Sequence, residues 1–163
     1  MKHFILMLLL IISVPGVGHA KQVVGWTENA VIYPGGLELR AKIDTGAMAS
    51  SLNCECRNLF EKDGEQWVRF SVINYQGEQM WLERKIHRMA NIKRHFGGIQ
   101  ERPVIILGVC LGNVYRETEV NVIDRSGLDY QMLIGRKFLE GEFLVDSSAQ
   151  FINPPQCDVR INE

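Results

Sequence analysis

Leu37-Glu38-Leu39-Arg40-Ala41-Lys42-Ile43 alternates apolar and polar residues with period 2 and runs straight into Asp44-Thr45-Gly46-Ala47. Strict alternation marks a strand with one face in a core and the other in water. Such a strand delivers a single carboxylate to a turn, and Met48, Ala49, Ser50 and Ser51 continue the mostly small residues after it. Asp and Gly are ordinary turn formers, so the tripeptide alone reads first as a plain link between two strands. Its meaning depends on the rest of the chain.

That remainder has one rhythm, short apolar runs separated by turns. Residues 22–25 and 30–33 predict early strands, closed by Pro34-Gly35-Gly36. Residues 60–65 hold the turn Asp63-Gly64. Val68, Phe70 and Val72 then alternate with Arg69, Ser71 and Ile73 up to Tyr75-Gln76-Gly77. Met80, Leu82 and Ile86 form a further apolar face. Residues 103–110 are almost continuously apolar, which predicts a buried strand. Val120 and Val122 lead into the turn Asp124-Arg125-Ser126-Gly127, and only residues 136–140 read as helix. The pattern predicts an all-β domain, barrel or sandwich, with one short helix.

The start of the chain is set apart. Lys2 and His3 precede an apolar run over residues 4–14, and Gly18-His19-Ala20 supplies small residues for cleavage. Residues 1–20 are expected to be a secretory signal cut after Ala20, leaving residues 21–163 as one domain in the periplasm or outside the cell. The run is too short for a membrane span, so none is expected in the mature chain. The sequence has 18 Lys and Arg against 19 Asp and Glu; without Lys2 the balance is 17 against 19, a net charge of −2. Such near-neutrality provides no field to grip nucleic acid.

Cys54, Cys56, Cys110 and Cys157 would meet an oxidising compartment, where they allow three pairings. A direct Cys54–Cys56 link would be strained, so a long-range bridge from one of them to Cys110 or Cys157 is expected. A metal site of Cys54, Cys56, His87 and His95 is the weaker alternative, because its spacing is irregular. No metal and no cofactor is expected.

A strand ending in Asp44-Thr45-Gly46, with Tyr130-Gln131-Met132-Leu133-Ile134-Gly135-Arg136 downstream, resembles the paired motifs of retroviral-type aspartic peptidases. A narrower resemblance runs through Val24-Gly25-Trp26-Thr27-Glu28, Ala41-Lys42-Ile43-Asp44-Thr45-Gly46-Ala47 and Trp67-Val68-Arg69-Phe70. It continues in Glu101-Arg102-Pro103-Val104-Ile105, Leu133-Ile134-Gly135-Arg136-Lys137-Phe138-Leu139 and Phe143-Leu144-Val145-Asp146. These pieces are similar, in order, to a bacterial retropepsin-like family that carries the label "ATP-dependent zinc protease". The chain departs from that pattern at Met48-Ala49-Ser50-Ser51-Leu52 and at Cys54-Glu55-Cys56.

The resemblance implies a single-lobed acid-protease barrel with one short helix. Asp44 would be catalytic, and Thr45, Gly46 and Ala47 would form the active-site loop. Leu133, Ile134, Gly135 and Arg136 would be the supporting strand. Thr45 would hydrogen-bond across a two-fold axis, Gly46 would donate its N–H toward the carboxylate, and Arg136 would pair with a carboxylate at a dimer edge. Residues 84–98, including His95, Gly97 and Gly98, correspond to the flap that closes over substrate. Their many basic side chains also suit a solvated hairpin that keeps an exposed edge from pairing.

This chemistry needs two carboxylates sharing one proton around a water. The chain has one Asp-Thr-Gly. Asp124 is followed by Arg125, and Asp146 lies in Leu144-Val145-Asp146-Ser147-Ser148 with no Gly after it. A homodimer apposing two copies of Asp44 meets the requirement. The expectation is an exported, homodimeric aspartic endopeptidase acting on a peptide or protein substrate. The zinc label finds no His-Glu-x-x-His run and the ATP label no phosphate-binding Gly-x-x-x-x-Gly-Lys loop. After residue 20 only His87 and His95 remain. The alternative is a non-catalytic binding or scaffolding domain of the envelope, which a persistent monomer would favour.

Overall fold

The computed structural model describes residues 20–93, 98–124, 127 and 129–158, apart from the side chains of Cys56 and Lys93. The expected leader falls outside these residues except for Ala20, as do Arg125 and Ser126 of the expected turn. The strands are β1 (Gln22–Tyr33), β2 (Leu37–Asp44), β3 (Ser50–Asn53), β4 (Glu55–Lys62), β5 (Glu65–Ile73) and β6 (Gln79–Lys85). They continue with β7 (Arg88–Lys93), β8 (Ile99–Leu111), β9 (Val114–Ile123), β10 (Met132–Gly135) and β11 (Phe143–Gln150). The helix α1 (Arg136–Leu139) follows β10 directly and buries Phe138 and Leu139.

The alternation in β2 is realised: Leu37, Leu39, Ala41 and Ile43 are buried while Arg40 and Lys42 face water. β8 buries Val104, Ile105, Leu107, Val109, Cys110 and Leu111, although Ile106 stays 38% exposed. The two early strands expected from the sequence are one. β1 continues through Thr27 and Glu28, both fully buried. The Glu28 carboxylate accepts the N–H groups of Gly25 at 2.7 Å, Ile152 at 3.3 Å and Asn153 at 3.1 Å. A buried polar group satisfied in this way does not interrupt a strand.

Eight strands form one sheet in the order β11-β1-β2-β10-β3-β9-β8-β7, and β4-β5-β6 form a second. The large sheet rolls onto itself, because residues 30–33 of β1 also pair with residues 108–111 of β8. Toward its start, that same edge of β1 is occupied by β11, from Gln22↔Phe143 to Thr27↔Gln150. The roll therefore closes along residues 30–33 of β1, and the architecture is the expected single-lobed, all-β retropepsin-like fold with one short helix. The two sheets share one core that includes Leu39, Ile43, Leu52, Phe70, Ile134 and Phe138. Each such side chain, fully buried, stabilises the fold by about 1.5–3 kcal/mol. Among the described residues no helix is long and apolar enough to cross a membrane.

The cysteines also correct an expectation. Cys110 pairs with Cys157 across 47 residues, not with Cys54 or Cys56. Cys54 sits at the entrance to β4, is buried and free, and burial pushes its thiol up to about 11. The tail reaches Cys110 because Gln156 N–H donates to Gly112 O at 2.7 Å and Phe151 N–H to Thr27 O at 2.9 Å. The side chain of Cys56 lies outside the described residues.

Candidate active site

Asp44 is the last residue of β2, where the parallel partner β10 brings Gly135 opposite it. The chain then turns tightly. Gly46 N–H and Ala47 N–H both donate to Asp44 Oδ1, at 2.9 and 3.1 Å, and pin that oxygen. Among the described residues no donor is bonded to Oδ2. Asp44 is half-buried, whereas Thr45 and Gly46 are exposed.

The loop is held from behind by the β10–α1 junction. Arg136 N–H donates to Ala47 O at 2.9 Å and Lys137 N–H to Met48 O at 3.0 Å. The Arg136 guanidinium adds Nη1 bonds to Thr45 O at 2.8 Å and Gly46 O at 2.9 Å. Gly135 N–H donates to Ser50 Oγ at 3.2 Å, which fastens the far end of the loop. A Cβ on Gly135 would lie 2.7 Å from Ala49 O and 3.1 Å from Ala47 O, so only glycine admits the loop backbone at this distance. Arg136 begins α1, inside the helix expected over residues 136–140, so the supporting strand ends at Gly135, and its Nη1 donates to carbonyls of its own chain.

The hairpin expected over residues 84–98 is narrower than that span. Arg84 and Lys85 belong to β6, and Ile86 N–H still donates to Gln66 O of the second sheet. The chain crosses to the large sheet at His87, whose N–H donates to Val104 O at 2.8 Å. β7 and β8 then form the hairpin, from Arg88↔Val104 to Lys93↔Ile99. Of the three flap residues expected, His95 and Gly97 lie outside the described residues, and Gly98 is described at φ +87°.

Between this hairpin and the loop lies a groove of about 460 Å³. Ala47, Met48 and Ala49 line one wall and Arg88, Met89 and Ile92 the other. On the opposite side of the loop, a second cavity of about 530 Å³ is lined by Thr45, Arg136, Phe143, Leu144 and Val145. The Asp-Thr-Gly turn thus divides a hairpin-covered groove from an open cleft beside β11, where Leu144 is 54% exposed.

Sequence reasoning missed the polar side of β9. Asn121, buried between the core residues Val120 and Val122, donates Nδ2 to Ser50 O at 2.7 Å. Arg102 Nη1 in turn donates to Asn121 Oδ1 at 3.3 Å. Two residues earlier on the same face, Glu119 accepts from Arg88 and Lys137. An Asn between two core valines was the available signal. Among the described residues no group of three or more His, Cys, Asp or Glu is placed to hold a metal.

The model of the RimB-like family, described as retropepsin-like aspartic endopeptidase RimB, matches residues 23–156. A "Probable alpha-L-glutamate ligase" of Shewanella halifaxensis is 32% identical over 128 residues, covering 77% of this chain and 28% of that protein. Its namesake in Desulfotalea psychrophila is 26% identical over 136 residues, covering 80% of this chain and 29% of that protein. The chain therefore spans less than a third of the length of these curated relatives. A crystal structure of a protein of unknown function from Legionella pneumophila superposes with a TM-score of 0.68 at 29% identity. That match covers 82% of this chain and 98% of the other.

Proposed function

The chain belongs to the RimB-like family of retropepsin-like aspartic endopeptidases, and from that footing we propose that it hydrolyses peptide bonds with a dyad of two Asp44 carboxylates across a homodimer. The observation that carries this reading is the Asp44 turn itself. One carboxylate oxygen is pinned by two backbone N–H groups, on a loop anchored by four hydrogen bonds from Arg136 and Lys137. A preorganised carboxylate, on a turn whose Thr45 and Ala47 line the two cavities, is what proton transfer to and from a water requires. Within the dyad the ionised Asp44 takes the proton of the attacking water, and its protonated mate donates to the substrate carbonyl oxygen.

A second copy belongs on the Thr45 side of the turn. Thr45 is exposed there beside the cleft with Leu144 and Val145, while the other side faces the hairpin groove. The reading includes export, through a leader over residues 1–20.

The relatives' names add a substrate class. This segment recurs within proteins named as glutamate ligases. Arg88 and Arg102 line the groove. On those two grounds we infer that bonds next to α-linked glutamyl residues are preferred.

The test pairs the purified chain with its Asp44→Asn variant on peptides bearing oligoglutamyl or neutral tails. The wild type is expected to cleave the glutamyl series, as a dimer in sedimentation, and the folded variant to cleave neither. Equal cleavage by both proteins would remove the dyad. Equal rates on the two series would remove the glutamyl preference alone.

A further inference from the structure

Glu119 joins the two walls of the groove. Its carboxylate accepts from Arg88 Nε at 3.0 Å and Nη2 at 2.8 Å, and from Lys137 Nζ at 2.9 Å. His87 Nε2 stands 3.6 Å away. Arg88 opens β7 and itself lines the hairpin wall. Lys137 is the residue whose N–H holds Met48 O on the loop wall. One acceptor therefore receives both walls, and the Glu119 side chain is only 18% exposed. The same face of β9 repeats the arrangement two residues on, as the period of a strand dictates. There Asn121 bonds Ser50 O at the exit of the loop and accepts from Arg102 of β8.

We propose that Glu119 is a positioning residue that couples the β7–β8 hairpin to the Asp44 loop, so that the two walls of the groove keep one spacing. The clamp stands on geometry alone; its effect on turnover rests on the peptidase reading above. A bidentate Arg–carboxylate pair fixes direction as well as distance, which a lone Lys contact does not. Loss of the carboxylate releases hairpin and loop together. Loss of either cation releases one wall and leaves the other held.

Hydrogen–deuterium exchange on the full chain reads this without any substrate. Glu119→Gln keeps the shape and removes the charge. It is expected to speed exchange about 5–10-fold in both residues 88–92 and residues 46–49, with β4 and β5 unchanged. Arg88→Met should speed only the first segment and Lys137→Met only the second. Faster exchange in one segment alone, or in neither, for Glu119→Gln would overturn the coupling. In peptide hydrolysis the same variant should lower kcat/KM about tenfold, and an unchanged kcat/KM would also count against it. If the wild type cleaves nothing, the peptidase reading fails while the exchange result still decides the clamp.

Discussion

Gly135 faces Asp44 across the parallel β10–β2 pairing, and its missing side chain is what lets the backbone of residues 47–49 lie against the β10–α1 junction. The atoms a Cβ would meet are carbonyl oxygen and carbon of Ala49 at 2.7 and 2.8 Å, and neither can swing aside as a side chain would. Gly135→Ala therefore forces the loop outward. Overpacking of this kind costs about 1–3 kcal/mol, read as a lower urea midpoint. Displacing a catalytic group by roughly 1 Å costs about 10²-fold in rate, so activity should fall far more than stability. An alanine variant with unchanged turnover would show that the loop tolerates the shift.

Arg136 separates the two quantities more cleanly. Its guanidinium bonds to Thr45 O and Gly46 O are exposed, so their net contribution to folding is about 1 kcal/mol or less. Arg136→Met keeps the stem and removes the donors. The urea midpoint should barely move, while kcat/KM should drop at least about tenfold as the turn loosens. Arg136→Lys should recover only part of this, because a single ammonium cannot reproduce the planar fork.

Much of this arrangement was legible because it is local. The period-2 run ending at Asp44 specified β2 and its buried face, while Leu133-Ile134-Gly135 as its neighbour was expected only from the resemblance to retroviral-type peptidases. What escaped was set by partners distant in sequence. Thr27 and Glu28 look like a polar break in β1, and only the returning tail, with Ile152 and Asn153, supplies the donors that bury Glu28. Glu119 and Asn121 carry no motif, since their partners Lys137 and Ser50 lie 18 and 71 residues away. The cysteine pairing escaped for the same reason. It depends on the path of residues 151–157 over Thr27 and Gly112, which no local pattern encodes.

That path makes the Cys110–Cys157 bridge a stability element. A closed loop of this size restricts the unfolded chain by an amount worth about 4 kcal/mol, commonly delivered as 2–4. Reduction, or replacement of both cysteines by serine, should lower the urea midpoint accordingly. The tail should also become accessible to proteolysis near residue 151. Glu28 would then lose the Ile152 and Asn153 donors and stay bonded only to Gly25. A midpoint unchanged by reduction would mean that the tail holds its place without the bond.

Acid should act through Glu119. Hydrogen bonds from Arg88 and then Lys137 hold its carboxyl at about 2, against an ordinary value of 4.5. The folded value is the lower one, so as pH falls the unfolded chain takes up the proton first and gains on the folded state. The contribution is complete above about pH 4.5, shrinks between 4.5 and 2, and is gone below 2. Arg88 and Lys137 are nearly half exposed, so after discount for solvent screening it amounts to roughly 1–2 kcal/mol. Urea midpoints measured from pH 6 to pH 2 should therefore fall less steeply in Glu119→Gln than in the wild type over that interval. Above pH 5 the two curves should run parallel, with the variant lower by the lost pair. Curves that stay parallel throughout would show that the Arg88–Glu119–Lys137 contacts contribute nothing to folding that a proton can remove.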